Sequence, residues 1–273
     1  MDNLRLAVLG GDARQDILYN LLKEEGYNAS RIPAYQNEII IGPIPFSKDG
    51  INIYQVSGEK LVNIEKLFRK MRENTCPLLI AGAIKASVRA LAEANAIEVI
   101  DLMDLDEVAV MNAVPTAEGT IAAAMENSDI TLSGSRCLVL GYGRCGKILA
   151  HMLKGLGALV SAEARSAADE AYIKSYGLDF VHLNDLEKRL NEFEFIINTI
   201  PAMIINRSAL EFIQPGCLLI DISSGTGGID LQSARQMGIK ALNLPGLPGK
   251  AAPRTAAKIL KDAITRILVQ RGY

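Results

Sequence analysis

Short apolar runs alternate with amphipathic stretches along nearly the whole chain. In the first half, strands are expected at Leu4–Leu9, Asn28–Ile32, Glu38–Ile41, Ile51–Tyr54, Pro77–Gly82 and Ile97–Asp101. Helices are expected over Lys60–Arg72 and Lys85–Ala94, and Gly42-Pro-Ile-Pro-Phe46 reads as a turn. In the second half, the apolar runs fall at Cys137–Leu140, Gly157–Glu163, Phe180–His182, Phe195–Thr199, Cys217–Ile222 and Ile239–Asn243, with a helix over Asp185–Leu190. Runs that are apolar throughout, spaced by helices, predict parallel strands buried on both faces. The pattern is therefore α/β: two Rossmann-like domains with parallel sheets, joined by interdomain helices with a cleft between.

The stretch that organises this pattern is Leu138-Val-Leu-Gly-Tyr-Gly-Arg-Cys-Gly146. An apolar run ends in Gly141, Gly143 and Gly146, and Ile148, Leu149, Met152, Leu153 and Leu156 continue at helical spacing. G-x-G-x-x-G between a strand and a helix is the dinucleotide fingerprint. Gly141 permits a sharp turn, Gly143 a close approach of a pyrophosphate, and Gly146 tight packing of helix on strand. The phosphates would then lie on the helix start, at Arg144 and Cys145, where free N–H groups favour anions.

Other strand ends point the same way. Glu163 closes the second strand of this domain and Ala164-Arg165-Ser166 follow. An acid at this place serves the ribose hydroxyls of NAD, whereas Arg165 and Ser166 suit the 2′-phosphate of NADP, and NADP is the preferred reading. Thr199-Ile200-Pro201 is a turn expected over the cofactor's ribose and nicotinamide. Asp221 and Ser223, at the end of the next strand, are expected at the same edge. Leu244–Pro253 reads as a rigid loop.

The first domain has no fingerprint of this quality. Leu4–Gln15 is again strand, glycine turn and helix, with Gly10, Gly11, Asp12 and Arg14 at the turn. Asp12 reads as an N-cap and Arg14 as either a carboxylate holder or a solvated first-turn arginine. Lys85 lies just past another strand end. The acidic run Asp101–Glu107 reads as a solvated turn and cap, and Pro115-Thr116 as the start of the connecting helix, with Glu118 in its first turn. From Arg254 onward, Ala256, Ile259, Leu260, Ala263, Ile264, Ile267 and Leu268 mark an amphipathic terminal helix. The expected division is residues 1–115, carrying substrate and catalysis, with 254–273 packed back on them, and residues 116–253 as the NADP-binding domain.

Composition excludes more than it selects. The 273 residues carry a net charge of −2, which speaks against nucleic acid or an acidic membrane as the main partner. The N-terminus reads directly as a strand, without a signal peptide, and no apolar run is long enough to span a membrane. Cys76, Cys137, Cys145 and Cys217 are scattered singly, as expected of buried thiols in a reducing cytoplasm, and no metal site is expected. His151 and His182 are the only histidines, at ordinary helix and strand positions.

Taken together, Gly10-Gly-Asp-Ala-Arg-Gln15, Pro115-Thr-Ala-Glu-Gly119, Gly141-Tyr-Gly-Arg-Cys-Gly146, Ala164-Arg-Ser166, Asn198-Thr-Ile-Pro201 and Pro245-Gly-Leu-Pro-Gly249 resemble the dipicolinate synthase A-subunits of spore-forming bacteria. The resemblance implies an NADP-dependent oxidoreductase in the mother-cell cytoplasm during sporulation. Its substrate would be dihydrodipicolinate, or the 4-hydroxytetrahydrodipicolinate that precedes it, and its product dipicolinate. A flavoprotein-like dipicolinate synthase B-subunit is implied as partner, and self-association is left open. On that reading Gly11, Arg14, Lys85, Thr116 and Gly249 hold the substrate's carboxylates, and Glu118 or Asp12 supplies an acid. The two-domain layout is also similar to shikimate and methylenetetrahydrofolate dehydrogenases, although the Lys-Asp pair of the former is not evident. A non-catalytic NADP-binding protein supporting the B-subunit is the alternative of a different class.

Overall fold

The structure, a computed structural model, describes residues 4–35, 38–56, 61–74, 76, 78–225 and 227–273. Its chain divides into two units, Met1–Asn112 with Ala252–Tyr273, and Ala113–Ala251. The first holds a five-stranded parallel sheet of β1 (Arg5–Val8), β2 (Asn28–Ser30), β3 (Glu38–Ile41), β4 (Leu78–Ala81) and β5 (Glu98–Asp101), in the order β2-β1-β3-β4-β5. Strand alternation sorts its side chains into two cores. Leu6, Val8, Ile39, Ile41, Leu78 and Ile80 meet α1 (Ala13–Glu24) and α11 (Pro253–Gln270) on one face. Ala7, Ile40, Leu79 and Ala81 meet α2 (Ile64–Glu73) and α3 (Ala86–Ala94) on the other. Side chains of Asp12 and Asn63 cap α1 and α2, accepting from the N–H groups of Arg14 and Lys66, and each such cap is worth about 1 kcal/mol.

The second unit holds a six-stranded parallel sheet: β6 (Arg136–Leu140), β7 (Leu159–Glu163), β8 (Asp179–Val181), β9 (Phe195–Asn198), β10 (Leu218–Asp221) and β11 (Lys240–Asn243), in the order β11-β10-β9-β6-β7-β8. One face packs Cys137, Val139, Ala162, Phe195, Ile197 and Ile220 against α5 (Arg144–Gly155) and the later part of α4 (Asp106–Glu126). The other packs Leu138, Leu140, Val181, Ile196 and Leu219 beneath shorter helical segments. Burial pushes the thiols of Cys76, Cys137 and Cys217 up to about 12, and that of Cys145 to about 11, so all four stay protonated at neutral pH. Among the described residues no helix is long and apolar enough to cross a membrane.

Five expectations need correction. Ile51–Tyr54 is not a strand, and its polar partners explain why. Asp49 accepts the N–H groups of Ile51 and Asn52, while Ile53 and Tyr54 donate to Val62 and Phe46. The alternating pattern there serves a folded-back loop. Pro115 does not open the connecting helix; α4 begins at Asp106 and carries Pro115 in its interior. Its true start has Asp106 and Glu107 in the first turn, where the helix dipole favours acids. Glu118 is accordingly mid-helix. Nor is the acidic run solvated throughout, because Asp101 is buried. Its carboxylate accepts from Ala83 N at 2.9 Å, Ile84 N at 2.7 Å and Met103 N at 2.9 Å, and pairs with Arg89 at 2.6 Å. Leu244–Pro253 is not a loop throughout, since Leu247–Ala251 forms α10 with Pro248 in its first turn, where a missing N–H costs nothing. Asp185–Leu190 is broken into a 3-10 turn, the four-residue α7 (Leu186–Arg189) and a second 3-10 turn. Lys60 and Pro77, expected at the start of a helix and a strand, lie outside the described residues.

Asp101 ties the end of β5 to the turn after β4. Asp101→Ala strands three amides and a guanidinium, and we expect a loss of about 3 kcal/mol, with Asp101→Asn in between. Urea denaturation checks this; a loss below ~0.5 kcal/mol for the alanine variant would show that the network does not hold the turn.

Candidate functional site

In an open parallel sheet, ligands bind where neighbouring strands send their connections to opposite faces. In the second unit that point lies between β6 and β9, at the ends of which stand Leu140-Gly141 and Asn198-Thr199. The glycine turn is built there with little slack. Gly141 has φ +88°, and a Cβ on it would meet Thr199 Oγ1 at 2.7 Å and Ile200 at 2.8 Å. A Cβ on Gly146 would overlap the carbonyl oxygen of Gly141. Thr199 Oγ1 donates to Leu140 O at 2.9 Å, and Thr199 N to the same oxygen at 3.0 Å. Asn198, fully buried, donates to Ile200 O and accepts Ile200 N–H. Asn198 was legible only as a polar residue closing an apolar run.

Gly143 differs from the other two. Its φ is −77°, which any residue adopts, and a Cβ there meets nothing among the described residues within 4 Å. The fold does not need glycine at this place. The exposed Gly143 caps α5, whose first-turn N–H groups have no helical partners. With Arg144 and Cys145 in that turn, the arrangement fits a diphosphate approaching the backbone. His151, further along α5, is exposed.

Beside the turn, Glu163 ends β7 in register with Leu140. Its Oε2 accepts the Gly141 N–H at 3.1 Å, and its Oε1 is buried without a hydrogen-bond partner among the described residues. Burial pushes the Glu163 carboxyl up, against the opposing pull of the Gly141 amide, Arg165 and His182. Arg165 is exposed. Ser166 caps α6 (Ala167–Ser175): its hydroxyl accepts Asp169 N–H at 3.0 Å and donates to Asp169 Oδ2 at 2.8 Å. Asp221 and Ser223 face each other. Burial alone would raise the Asp221 carboxyl, but hydrogen bonds from Ser223, Gly228 and Asn198 bring it below the usual carboxylate range. Those two residues fasten the segment after β10 to Asn198. Pro201 is exposed at the end of the Thr199–Pro201 turn.

The first unit has its corresponding point between β1 and β3. Here the crevice is filled by the chain itself. A Cβ on Gly42 would meet the Phe46 ring at 2.6 Å, one on Gly10 would meet Tyr54 O at 2.6 Å, and one on Gly82 would overlap Ile44. The Gly11 N–H, expected to receive a carboxylate, donates to Tyr54 O at 2.7 Å. Arg14 is buried and spans the point: Nε and Nη2 donate to Asp12 at 2.9 and 2.7 Å, and Nη2 also to Ile44 O at 2.6 Å. Burial raises the Asp12 carboxyl, yet its hydrogen bonds and charge pairing with Arg14 hold it below its ordinary value. Lys85 is exposed and donates to Lys48 O at 2.5 Å.

Of the remaining expected residues, Thr116 and Glu118 lie on α4, half-buried and exposed respectively, and Gly249 lies in α10. Gly119 brings these segments together, since a Cβ on it would meet Ala251 at 2.9 Å and Leu247 at 3.1 Å. Among the described residues no three His, Cys, Asp or Glu side chains gather as a metal site.

Two family profiles match the chain. One is the D-isomer specific 2-hydroxyacid dehydrogenase NAD binding domain, over residues 110–228, and the other the N-terminal domain of the dipicolinate synthase A-subunit, over residues 29–103. The first makes the second unit the nicotinamide-dinucleotide part of an oxidoreductase. The chain is 33% identical to the dipicolinate synthase A-subunit of Bacillus subtilis strain 168, over 99% of its own length and 97% of that protein's. The crystal structure of the Bacillus subtilis protein superposes with a TM-score of 0.88 at 32% identity, covering 99% of this chain and 97% of that one. That of the A-subunit from Bacillus halodurans gives 0.88 at 28% identity, covering 97% of each. The chain belongs to the dipicolinate synthase A-subunit family.

Proposed function

We propose that the chain oxidises dihydrodipicolinate, or the 4-hydroxytetrahydrodipicolinate that precedes it, to dipicolinate with NADP⁺. Its partner is a dipicolinate synthase B-subunit, in the mother-cell cytoplasm of a sporulating bacterium. The observation that carries this reading is the room before Gly143, in a chain whose whole length aligns with a dipicolinate synthase A-subunit. When bound, the nicotinamide supplies an acceptor for hydride; the dihydropyridine also gives up a proton and becomes aromatic. Aromatisation drives the step, so the protein's task is alignment and charge compensation. No activated nucleophile is required.

For the cofactor, Gly141, Gly143, Arg144, Cys145 and Gly146 form the diphosphate cradle, and Thr199-Ile200-Pro201 borders it. Arg165 supports NADP over NAD: it follows β7, is exposed, and has a charge suited to a 2′-phosphate. Ser166 contributes less than its place in the sequence suggested, because its hydroxyl is engaged with Asp169.

For the substrate, we assign Lys85, exposed past the end of β4, to a carboxylate; the Arg14 guanidinium is already held by Asp12 and the Ile44 carbonyl inside the filled crevice. If water must leave the hydroxylated form, a proton donor is needed. Asp12 is poorly suited, since its pairing with Arg14 keeps it ionised. Glu118, exposed on α4, takes that role.

Three outcomes follow from this reading. Gly143→Val leaves the thermal midpoint within ~4 °C, because no protein atom occupies the space and only a helix-cap preference of ~1 kcal/mol is lost, and weakens NADP⁺ binding at least about tenfold. Equal binding by the variant in a fluorescence titration would remove the diphosphate from this turn. Arg165→Ala raises the Kd for NADP⁺ about tenfold or more and leaves that for NAD⁺ unchanged, since a charge-assisted bond of ~1.5–3 kcal/mol is lost only with the 2′-phosphate. An equal change for both would point to NAD. Finally, purified chain with NADP⁺ and freshly made precursor yields dipicolinate and NADPH absorbance together. Turnover only after the B-subunit is added assigns the chain a supporting role, and silence with both proteins present would sink the reading.

A further inference from the structure

Among the described residues, Glu163 is a buried ionisable group beside the glycine turn that the proposed reaction leaves without a task. It is 1% exposed at the end of β7, one oxygen on the Gly141 amide and the other without a partner among the described residues. Its place in the strand matters. Val160, Ala162 and Ala164 belong to the core shared with α5, and the alternate residue Ser161 turns the other way, to Asp179. Glu163 follows Ser161 on that second face, away from α5.

An ionised carboxylate with an unsatisfied oxygen is expensive in such surroundings, whereas the neutral acid is not. The same amide that Glu163 holds begins the turn that must receive two phosphate charges. A carboxylate and a diphosphate crowded onto one turn repel each other, most strongly where water is excluded. We propose that Glu163 is a positioning residue that takes up a proton when the dinucleotide binds: as the neutral acid it keeps the Gly141 amide and the turn in place, and as the carboxylate it opposes the phosphates. The proposal rests on the reading that the dinucleotide occupies this turn.

The charged and titratable groups around it are few. Arg165 follows β7 and His182 follows β8, and both favour the ionised form when charged. Among the described residues, β6 brings the buried Leu138 and Leu140, with Arg136 at its far end, and the turn brings amides, with Arg144 at the start of α5. His182 Nδ1 accepts the Asn184 N–H at 3.2 Å, so the ring is held by its own following turn. Burial raises the carboxyl in the free protein, and bound phosphates raise it further. The sign is therefore fixed. Affinity is greatest below the free-protein value and falls as pH rises through it.

The test is calorimetric titration of the full chain with NADP⁺ and with NAD⁺, in buffers of different ionisation enthalpy, from mildly acid to mildly alkaline pH. Wild-type protein should take up a fraction of a proton per cofactor bound, with Kd rising about tenfold across the range. Glu163→Gln keeps an acceptor for the Gly141 N–H; it should bind with the affinity of the acid form at every pH. Comparing wild type and variant with the same cofactor cancels the 2′-phosphate's own titration. His182→Asn should retain the proton uptake. Equal uptake in wild type and Glu163→Gln, or none in wild type at any pH, would overturn the proposal while leaving the cofactor reading intact. Absence of binding at all pH values would overturn both. Should Glu163→Gln fail to fold, the infrared C=O band of a protonated carboxyl in the wild-type protein decides, growing on cofactor addition if the proposal holds and unchanged if it does not.

Discussion

A helix can start almost on top of the strand that precedes it only if nothing projects from either backbone where they cross. Gly146 lies against the Gly141 carbonyl with no room for a methyl group, and this contact sets the path of everything around it. It forces the chain to reverse within Gly141–Gly143, which needs the left-handed conformation at Gly141. It also points the amides of α5 outward from the sheet edge. Thr199, bonded to the Leu140 carbonyl, closes the turn from the neighbouring strand, and Asn198 couples that strand to Asp221. The buried polar residues of this edge are thus consecutive supports for one turn. Thr199, Asn198 and Asp221 each satisfy a neighbouring polar group, whereas Glu163 keeps one oxygen unpaired among the described residues.

The two sheets answer the same topological opportunity differently. Both have a point where connections diverge, and both place glycines at it. In the second unit the glycines leave room facing outward, at Gly143. In the first, Gly10, Gly42 and Gly82 leave room that Tyr54, Phe46 and Ile44 occupy. The Phe46 ring stacks on Phe68 with centroids 6.4 Å apart, so the loop that fills the crevice is itself anchored in the core. A glycine at a strand end therefore does not announce a ligand. What a side chain there would collide with decides whether the space belongs to the protein or to something else.

That distinction explains how much of the molecule was legible in the sequence. The strands were, since Ile39-Ile-Ile41 and Leu78-Leu-Ile80 are apolar on both faces and leave no other placement. The glycine fingerprint was, because its spacing has one geometrical meaning between strand and helix. The start of α4 was not: Pro115 followed by Thr116 imitates a helix start, and only the packing of Val108 and Ala109 shows that the helix began earlier. Asp221 and Ser223 sit at an edge where ligands bind, but their hydrogen bonds run inward. Local sequence gives the edge on which a polar residue stands and says little about which way its bonds turn.

Charge pairing settles the remaining roles further than position does. Asp12 caps the helix that follows β1, while Asp101 ends β5 and Glu163 ends β7. Asp12 is answered by Arg14 and Asp101 by Arg89 and three amides. Both hold backbone in place through these bonds. Glu163 has one amide, with Arg165 and His182 acting on it only through space, and burial outweighs them. The same carboxylate chemistry thus divides into acids that are structural because they are paired, and one whose protonation stays open to whatever charge arrives at the neighbouring turn.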